Sequence, residues 1–338
     1  MVESPRCSRE SAISARPDYL PTASLEALQQ RAALLAELRQ FFDSHGYWEV
    51  ETPILSREVV VDAHLEPFVA QADGCELFLQ TSPEFGMKRL LAAGAGAIYQ
   101  VTRAFRRGEC GRYHNPEFTM VEWYRVGSTL IDQMDFVEKL VSHLFARGTA
   151  LRNQPFARVT YDEAFERHAK SRVLSLETST LIELAKNHHV PIPESLSPDD
   201  RDGWLNLLLA EIVEPQLGQD VPTFVYDYPA SQAALARIRP PAVSVAERFE
   251  LYISGIELCN GYHELTDADE LRRRMKVQAQ SRAAQGLKEL PADNQLLAAM
   301  DAGLPASAGV ALGFDRLAML VLGKESLAEV LAFPFDRA

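Results

Sequence analysis

Apolar side chains near the start of the chain recur every three or four residues, which is the spacing of one helix face. They are Leu28, Ala32, Leu35, Leu38 and Phe42. Ser24 precedes this run as a suitable N-cap, and Gly46 follows it as a suitable stop signal. The pattern predicts a helix from 24 to 44, after which the sequence becomes extended in character.

The rest of the chain groups its predicted strands into clusters separated by longer helical stretches. Extended segments are predicted at 47–54, 76–80, 98–103, 116–126, 222–228, 248–254, 256–265 and 308–313. Helices are predicted at 84–93, 129–147, 161–169, 177–188, 202–217, 268–286 and 315–322. Because strands and helices do not alternate regularly, the pattern favours an α+β fold with a mixed, mostly antiparallel sheet flanked by helices.

The domain organisation predicted from the sequence is simple. A flexible tail at 1–21, without the apolar stretch of a secretory signal, precedes one main domain at 22–338. Within that domain we expect a helical insertion at about 155–220, interrupted by a Pro-rich loop at 188–201.

Charge and cysteine content narrow the possible functions. The chain has 34 basic and 47 acidic residues, a net charge of −13, which counts against extensive binding to a tRNA backbone. The four cysteines are scattered without a CxxC spacing, so neither a zinc site nor a disulfide framework is expected. No apolar run approaches the ~18 residues of a membrane span. These features together predict a cytoplasmic protein.

The segment 104–125 combines arginines with a polar row on a predicted strand. Alternate strand residues share a face, so one row holds Phe118, Met120, Glu122 and Tyr124. A purely structural sheet does not need a carboxylate in that row. Upstream, Arg106, Arg107 and Arg112 surround a glycine-containing turn, and arginine suits bidentate contacts to phosphate.

The segment 250–264 carries a second polar row and two spaced carboxylates. Asn260, Tyr262 and Glu264 alternate onto one face, and Glu250 and Glu257 lie seven residues apart. Carboxylates brought close together need a cation or protons, and Mg²⁺ bound by substrate phosphates is such a cation. Simple alternation puts Glu257 on the wrong face for this, so we expect a bulge or bend.

A third segment, 308–323, places small residues before an apolar helix that opens with Asp315 and Arg316. Small residues let a ligand approach the backbone closely. Two interpretations stay open here. Arg316 reaches a phosphate, or Asp315 and Arg316 pair with each other and cap a buried helix.

These segments resemble the motifs of class II aminoacyl-tRNA synthetases. HGYWEVETPIL is similar to motif 1, FRRGECGRYHNPEFTMVEWY to motif 2 and GVALGFDR to motif 3. The order and spacing match over about 20–338. TSPEFGMKRLL, RYHNPEFTMVEWY and ELCNGYHEL further resemble the lysine-specific branch. They are most similar to its freestanding paralogues, the family that ligates lysine to elongation factor P. The resemblance implies a class II catalytic core and an ATP-consuming, adenylate-forming ligase.

The resemblance implies ATP and Mg²⁺ as cofactors and a nucleotide site. The implied catalytic residues are Arg106 at the α-phosphate and Arg316, which with Phe118 would sandwich adenine. The implied ATP-binding residues are Arg106, Arg107, Gly108, Glu109, His114, Asn115, Phe118, Glu257, Leu258, Gly313 and Arg316. Glu250 and Glu257 are implied to bind the metal ion.

The resemblance also implies a pocket for lysine or (R)-β-lysine. Its residues would be Ser82, Pro83, Glu84, Glu122, Tyr124, Asn260, Tyr262, Glu264 and Ala311. Carboxylates and aromatic walls suit an ammonium group through Coulomb and cation–π attraction. The alternative is that Glu122 and Glu264 pair with internal arginines.

Two positions depart from the family pattern. Motif 2 usually has an acid where this chain has Gly108, and the adjacent Glu109 is a candidate to replace it. Ala311 stands where lysyl-tRNA synthetases usually have glycine, and in the paralogues an alanine there accompanies a preference for β-lysine. One methyl group in a packed pocket changes selectivity by ~1–3 kcal/mol.

The resemblance implies an acceptor other than tRNA. We expect no anticodon-binding domain, because motif 1 begins near the start of the chain. The expected acceptor is a lysine side chain of elongation factor P, and the motif 1 resemblance favours a homodimer. Alternatives are a minimal lysyl-tRNA synthetase-like enzyme that charges another acceptor, and a non-catalytic regulatory paralogue.

Overall fold

The computed structural model describes residues 17, 19–60, 65–146, 155–239, 244–291 and 294–338. Most of the predicted tail at 1–21 therefore lies outside the described residues. The first helix, α1, spans Leu25–Ser44, and the Ser24 hydroxyl accepts a hydrogen bond from the Ala27 amide at its N-terminus. Gly46 follows with a positive φ of 76°. The predicted helix and both of its end signals are confirmed.

Two sheets form among the described residues. The larger contains β1 (Trp48–Glu49), β5 (Ala97–Phe105), β6 (Glu117–Val126), β7 (Ala157–Thr160), β8 (Thr223–Pro229), β9 (Ile238–Arg239), β10 (Val245–Ile253), β11 (Ile256–His263) and β12 (Ser307–Gly313). The smaller contains β2 (Leu55–Ser56), β3 (Val69–Ala72) and β4 (Cys75–Leu79). The large sheet has the order β1-β5-β6-β12-β11-β10-β8-β7, with β9 beside β10. Only its β1–β5 and β7–β8 pairs are parallel, which confirms a mixed, mostly antiparallel sheet.

The other helices are α2 (Glu84–Ala92), α3 (Leu130–Phe145), α4 (Tyr161–Ala169), α5 (Thr178–Asn187), α6 (Arg201–Leu208), α7 (Ala268–Ala284), α8 (Gln295–Gly303) and α9 (Phe314–Val321). The helical segment predicted at 202–217 is confirmed, but it is not one regular α-helix. Regular α-helix ends at Leu208, and a π-helical turn at Leu209–Val213 and a 3-10 turn at Glu214–Gln216 follow it. Pro215 lacks the amide proton that a regular helix needs there. The sequence analysis did not anticipate α8 or the edge strand β7.

The large sheet separates a packed core from a polar face. Val121 and Trp123 of β6 are fully buried in a core shared with α1 and α3. The intervening Glu122 and Tyr124 point to the opposite side, as strand alternation predicts. α4–α6 cover β8 and β10 with a second core, and α2, α7 and α8 form a third. The polar face is therefore supported on all sides by packed elements.

A search of the described helices for one both long and apolar enough to cross a bilayer finds none.

Candidate functional site

Three neighbouring strands align the polar rows predicted from the sequence. In the antiparallel register, Glu122 of β6 lies opposite Ala311 of β12, which lies opposite Asn260 of β11. This row crosses the centre of the sheet. Ala311 lines both of the cavities described below. Sheet register thus brings together residues that are far apart in the sequence.

A bulge in β11 brings Glu257 to the same side of the sheet as Asn260, although simple strand alternation would place them on opposite faces. Leu251 pairs with Cys259, but the next residue, Tyr252, pairs with Glu257, so Leu258 is the extra residue. A bulge resets which side chains share a face. Glu257 and Asn260 consequently line one cavity. The expectation of a bulge or bend is confirmed.

The first cavity, of about 260 Å³, contains most of the residues that the resemblance assigned to ATP. They are Arg106, Glu109, His114, Asn115, Phe118, Glu257, Leu258, Gly313 and Arg316. Arg107 and Gly108 are not among its lining residues. Both are exposed in the preceding turn, where Gly108 has a positive φ of 87°.

Arg106 and Arg316 both line this cavity. The Arg106 guanidinium lies 5.1 Å from the centre of the Phe118 ring and 3.7 Å from Glu109. Arg316 donates to the main-chain oxygens of Tyr113 (3.1 Å) and Glu257 (2.8 Å). Both arginines are held at the cavity by local contacts, so their positions are preorganised.

The motif at the start of α9 resolves the two interpretations left open for Asp315 and Arg316. Asp315 is buried, accepts a hydrogen bond from the Thr119 amide (2.9 Å) and forms an ion pair with Arg31 of α1 (2.6 Å). Arg316 instead borders the cavity and contacts His114 Nε2 at 2.7 Å. Asp315 therefore pairs with the distant Arg31 and not with the adjacent Arg316, which faces the cavity.

Asn115 anchors the loop that covers this cavity. Its Nδ2 donates to the Glu117 carbonyl (2.6 Å), and its Oδ1 accepts from the Phe335 amide (2.9 Å). The side chain connects the loop to the C-terminal segment and so limits the positions that the loop can adopt.

The second cavity, of about 100 Å³, lies beside the first and contains the residues assigned to lysine. They are Ser82, Glu84, Glu122, Tyr124, Asn260, Tyr262, Glu264 and Ala311. Pro83 is not among its lining residues but is buried at the N-terminus of α2. Arg106, Asn260 and Ala311 line both cavities, so the two spaces meet at these residues.

Glu122 is buried in a network of neutral hydrogen-bond donors. Its carboxylate accepts from Ser82 Oγ (2.7 Å) and from the Tyr124 hydroxyl (2.6 Å). Burial, reinforced by the nearby Glu84 carboxylate, raises the pKa of Glu122 to about 7. Glu122 therefore pairs with Ser82 and Tyr124 and not with an internal arginine, which was the alternative interpretation.

Glu264 is the other deeply buried acid in this cavity. Its Oε2 lies 2.6 Å from Lys88 Nζ, while Oε1 has no hydrogen-bond partner among the described residues. Burial raises the pKa of Glu264 to about 8, although Lys88 opposes this shift. Glu264 therefore pairs with an internal lysine rather than an internal arginine, and one carboxylate oxygen stays available in the cavity.

Two residues were missed from the sequence: Gly309, which lines this cavity, and Lys88, which is buried beside it. Lys88 bridges Glu84 and Glu264, and its only sequence signal was the four-residue spacing from Glu84. Gly309 lies under Tyr124, where an added Cβ would stand 2.3 Å from the ring and 2.8 Å from Glu264 Oε1. The small residues at 308–313 hinted at such close contact but not at its partner.

Glu250 occupies a different position from Glu257. It is buried and accepts hydrogen bonds from the hydroxyls of Tyr228 (2.6 Å) and Tyr252 (2.5 Å) and from Arg248. It is not among the lining residues of the first cavity, whereas Glu257 is. The described residues contain no group of three or more His, Cys, Asp or Glu that could hold a metal ion. The implied ligation by Glu250 is thus at odds with its internal partners.

Glu214, which the sequence analysis missed, reaches the same region from the predicted insertion. Its Oε1 accepts from the Tyr252 hydroxyl at 3.1 Å. Burial, with added repulsion from Glu250 and Glu257, raises the pKa of Glu214 to about 7. A residue from the helical segment therefore contributes to the electrostatics beside the nucleotide cavity.

Comparison with known proteins agrees with this architecture. Residues 18–337 match the profile of the family described as tRNA synthetases class II (D, K and N). The chain belongs to this family.

Similar curated proteins include ligases that act on elongation factor P by name. The chain is 47% identical over 326 residues to the elongation factor P–(R)-beta-lysine ligase of Klebsiella pneumoniae, covering 95% of this chain and 98% of that protein. The same identity and coverage hold for the ligase of that name from Salmonella arizonae.

Proposed function

We propose that this protein activates lysine or (R)-β-lysine as an adenylate and transfers it to a lysine side chain of elongation factor P. One observation carries the proposal: a cavity bordered by arginines and a cavity with buried carboxylates meet at Arg106. An anionic nucleotide and a cationic amino acid placed in them would have their reacting groups adjacent. The names of the similar proteins support the same reaction.

On the nucleotide side, the phosphates and adenine would lie between Arg106 and Arg316. The carboxylate of the amino acid attacks the α-phosphorus, a new phosphorus–oxygen bond forms, and pyrophosphate leaves. Arg106 is positioned to hold the α-phosphate and to stabilise the charge that develops on it. Phe118, whose ring stacks beside Arg106, would form one wall for the adenine. Positioning and electrostatics suffice, so no side-chain nucleophile is required.

On the amino-acid side, the ammonium groups would face the acidic cavity. Glu264 Oε1 is a buried acceptor without an internal donor, as an ammonium site requires. Glu122 offers a second acceptor, and Tyr124 and Tyr262 line the same space. Ser82 and Glu84, which line the same cavity, would receive the amino group near the reacting carboxylate.

Glu257 fits a role in holding Mg²⁺, because its partly exposed carboxylate lines the nucleotide cavity. When bound, the ion would neutralise phosphate charge. Glu250 fits such a role less well, since both of its oxygens already accept internal hydrogen bonds. Its contribution to this site would be to orient Tyr252 and Arg248.

The second half of the reaction would transfer the acyl group. The acceptor amine attacks the carbonyl carbon of the adenylate, an amide bond forms, and AMP leaves with the bonding electrons of the mixed anhydride. A protein acceptor agrees with the net charge of −13, which disfavours a nucleic-acid partner.

We also propose that the protein is a cytoplasmic homodimer. Trp48, Ile54 and Leu55 are exposed apolar side chains in the motif 1 region, beside a cleft of about 830 Å³ bordered by α1 and β5. Covering this face with a second copy would bury them. Sedimentation at micromolar concentration should give the dimer mass, and Trp48→Glu should shift it toward the monomer. A wild-type monomer would refute this part.

The test of the proposed reaction measures the intact mass of the acceptor. The enzyme is mixed with ATP, Mg²⁺, unmodified elongation factor P and either α-lysine or (R)-β-lysine. We expect a gain of one lysyl unit, larger with the β isomer. Lysine-dependent pyrophosphate exchange without any mass gain would retain adenylation and reject this acceptor, and a charged tRNA would favour the minimal-synthetase alternative. Absence of both activities would reject the function.

A further inference from the structure

Lys88 is a fully buried cation that pairs with two of the carboxylates lining the second cavity, the acidic one. It lies one turn after Glu84 on α2 and is 1% exposed. Its Nζ is 2.5 Å from Glu84 Oε1 and 2.6 Å from Glu264 Oε2. The ammonium group therefore joins α2 to the end of β11. None of the roles proposed above uses this side chain.

The charged and titratable groups around Lys88 lie on α2, β6 and β11 and at the edges of the cavity. They are Glu84 of α2, Glu122 and Tyr124 of β6, Tyr262 of β11 and Glu264 directly after it, with Arg106 at the mouth and Arg248 beyond Tyr262. Arg106 faces the nucleotide cavity and would be matched by the phosphate or the substrate carboxylate.

Counting the charges inside the cavity gives an imbalance. Among the residues that the structure describes, three buried carboxylates, Glu84, Glu122 and Glu264, are accompanied by one buried ammonium, that of Lys88. Two negative charges remain without an internal cation. Buried charges are stable only when they are paired, and otherwise they take up protons. An amino acid with two ammonium groups supplies the two missing positive charges.

We propose that Lys88 is a positioning and specificity-determining residue, whose ammonium neutralises one of three buried carboxylates so that the cavity accepts amino acids with exactly two ammonium groups. This inference rests on the proposed function, since it concerns the amino-acid substrate of the same site. A monoamine of equal length would leave one buried carboxylate unpaired. Loss of Lys88 would leave three carboxylates for two ammonium groups, and the surplus carboxylate would have to bind a proton.

The test compares substitutions on one helix. Lys88→Met removes the charge but keeps much of the volume, and Arg89→Met removes an exposed cation from the adjacent position as the matched control. The double variant Glu84→Gln/Lys88→Met removes one charge of each sign and is compared with Glu84→Gln alone. Measurements are KM for lysine and for ATP in pyrophosphate exchange, the pH profile, and thermal stabilisation by lysine.

We expect Lys88→Met to raise KM for lysine about 30-fold or more, with KM for ATP changed less than about twofold. The pH at which kcat/KM for lysine reaches half of its maximum should rise, because the surplus carboxyl holds its proton more tightly. Arg89→Met should resemble the wild type. The double variant should bind lysine at least as well as Glu84→Gln, since its charges balance.

An unchanged KM and pH profile in Lys88→Met would overturn the proposal and leave the proposed function intact. If Lys88→Met does not fold, the double variant decides: weaker lysine binding than Glu84→Gln would count against charge neutralisation. A wild-type protein that lysine neither stabilises nor activates for pyrophosphate exchange would refute the proposed function, and this inference with it.

Discussion

The two adjoining cavities differ in how far their charged side chains are exposed to water. In the first cavity, proposed for the nucleotide, Arg316 and Glu257 stay partly exposed, at 20% and 36%. In the amino-acid cavity Glu264 and Lys88 are each 1% exposed. Exposed charges are screened by water, whereas buried charges interact strongly and must be compensated one by one.

This difference indicates where selectivity arises. A polyanionic nucleotide can be held by arginines that remain hydrated, and small errors in charge are tolerated. The buried carboxyls of the acidic cavity, in contrast, need either a proton or a cationic ligand. We therefore expect substitutions in the first cavity to reduce the rate of activation and substitutions in the second to change which amino acid is accepted.

The largest effect is expected for Arg106→Ala, because this residue borders both cavities. Loss of a preorganised donor to a developing charge should lower kcat for pyrophosphate exchange by about 100- to 1,000-fold. Arg107→Ala, in the exposed neighbouring position, should cost much less. Equal losses in the two variants would show that both arginines act on the nucleotide.

A smaller effect, specific to the amino acid, is expected for Glu264→Gln. The change removes the charge but keeps the shape, so KM for lysine should rise by about 10- to 100-fold while KM for ATP stays close to its original value. Steady-state exchange kinetics with each substrate varied in turn provide the measurement. A proportional rise in both KM values would contradict the separation of the two cavities.

Gly309→Ala should disturb the acidic cavity by sterics alone. The new methyl group would meet the Tyr124 ring at 2.3 Å, and such overpacking costs ~1–3 kcal/mol. We expect a lower melting temperature and weaker lysine binding. Gly96→Ala is the control, since no atom lies within 4 Å of its added Cβ. Similar results for both glycines would argue against close packing under Tyr124.

Ala311→Gly, at the point where the two cavities meet, should change the preference between the two lysine isomers. Its methyl group lies between Glu122 and Asn260 in the sheet register. Removing it should shift the ratio of kcat/KM between (R)-β-lysine and α-lysine toward α-lysine by about tenfold. An unchanged ratio would mean that isomer choice is set elsewhere in the cavity.

The smallest expected effect is a dependence of KM for lysine on pH. Since the pKa values of Glu122 and Glu264 are raised from 4.5 to about 7 and about 8, the folded protein binds more protons than the unfolded chain between these limits. The stability of the ligand-free protein should therefore fall as pH rises through this range. KM for lysine should fall several-fold as pH rises from about 6 to about 8.5, because deprotonated carboxylates bind ammonium. A KM for lysine that stays constant with pH would exclude these two acids as its ligands.

Local patterns were sufficient for most of the fold. The periodicity of α1, with Ser24 and Gly46 at its ends, and the alternation along β6 are properties of contiguous residues. The helical segment predicted at 202–217 is present, but it ends in a π-helical and a 3-10 turn, and Pro215 lacks the amide donor that a regular α-helix needs. α8, with its nearly continuous apolar sequence, offered little periodicity to detect.

The sequence alone determined the chemistry available to the site: its arginines, its carboxylates and the motif order that places them on strands and loops. Only the tertiary structure decided how those groups are paired. It set the bulge at Leu258, it enclosed Glu250 among tyrosines and it placed Lys88 between two carboxylates. Burial and charge compensation depend on distances between residues remote in the chain, and no local pattern carries that information.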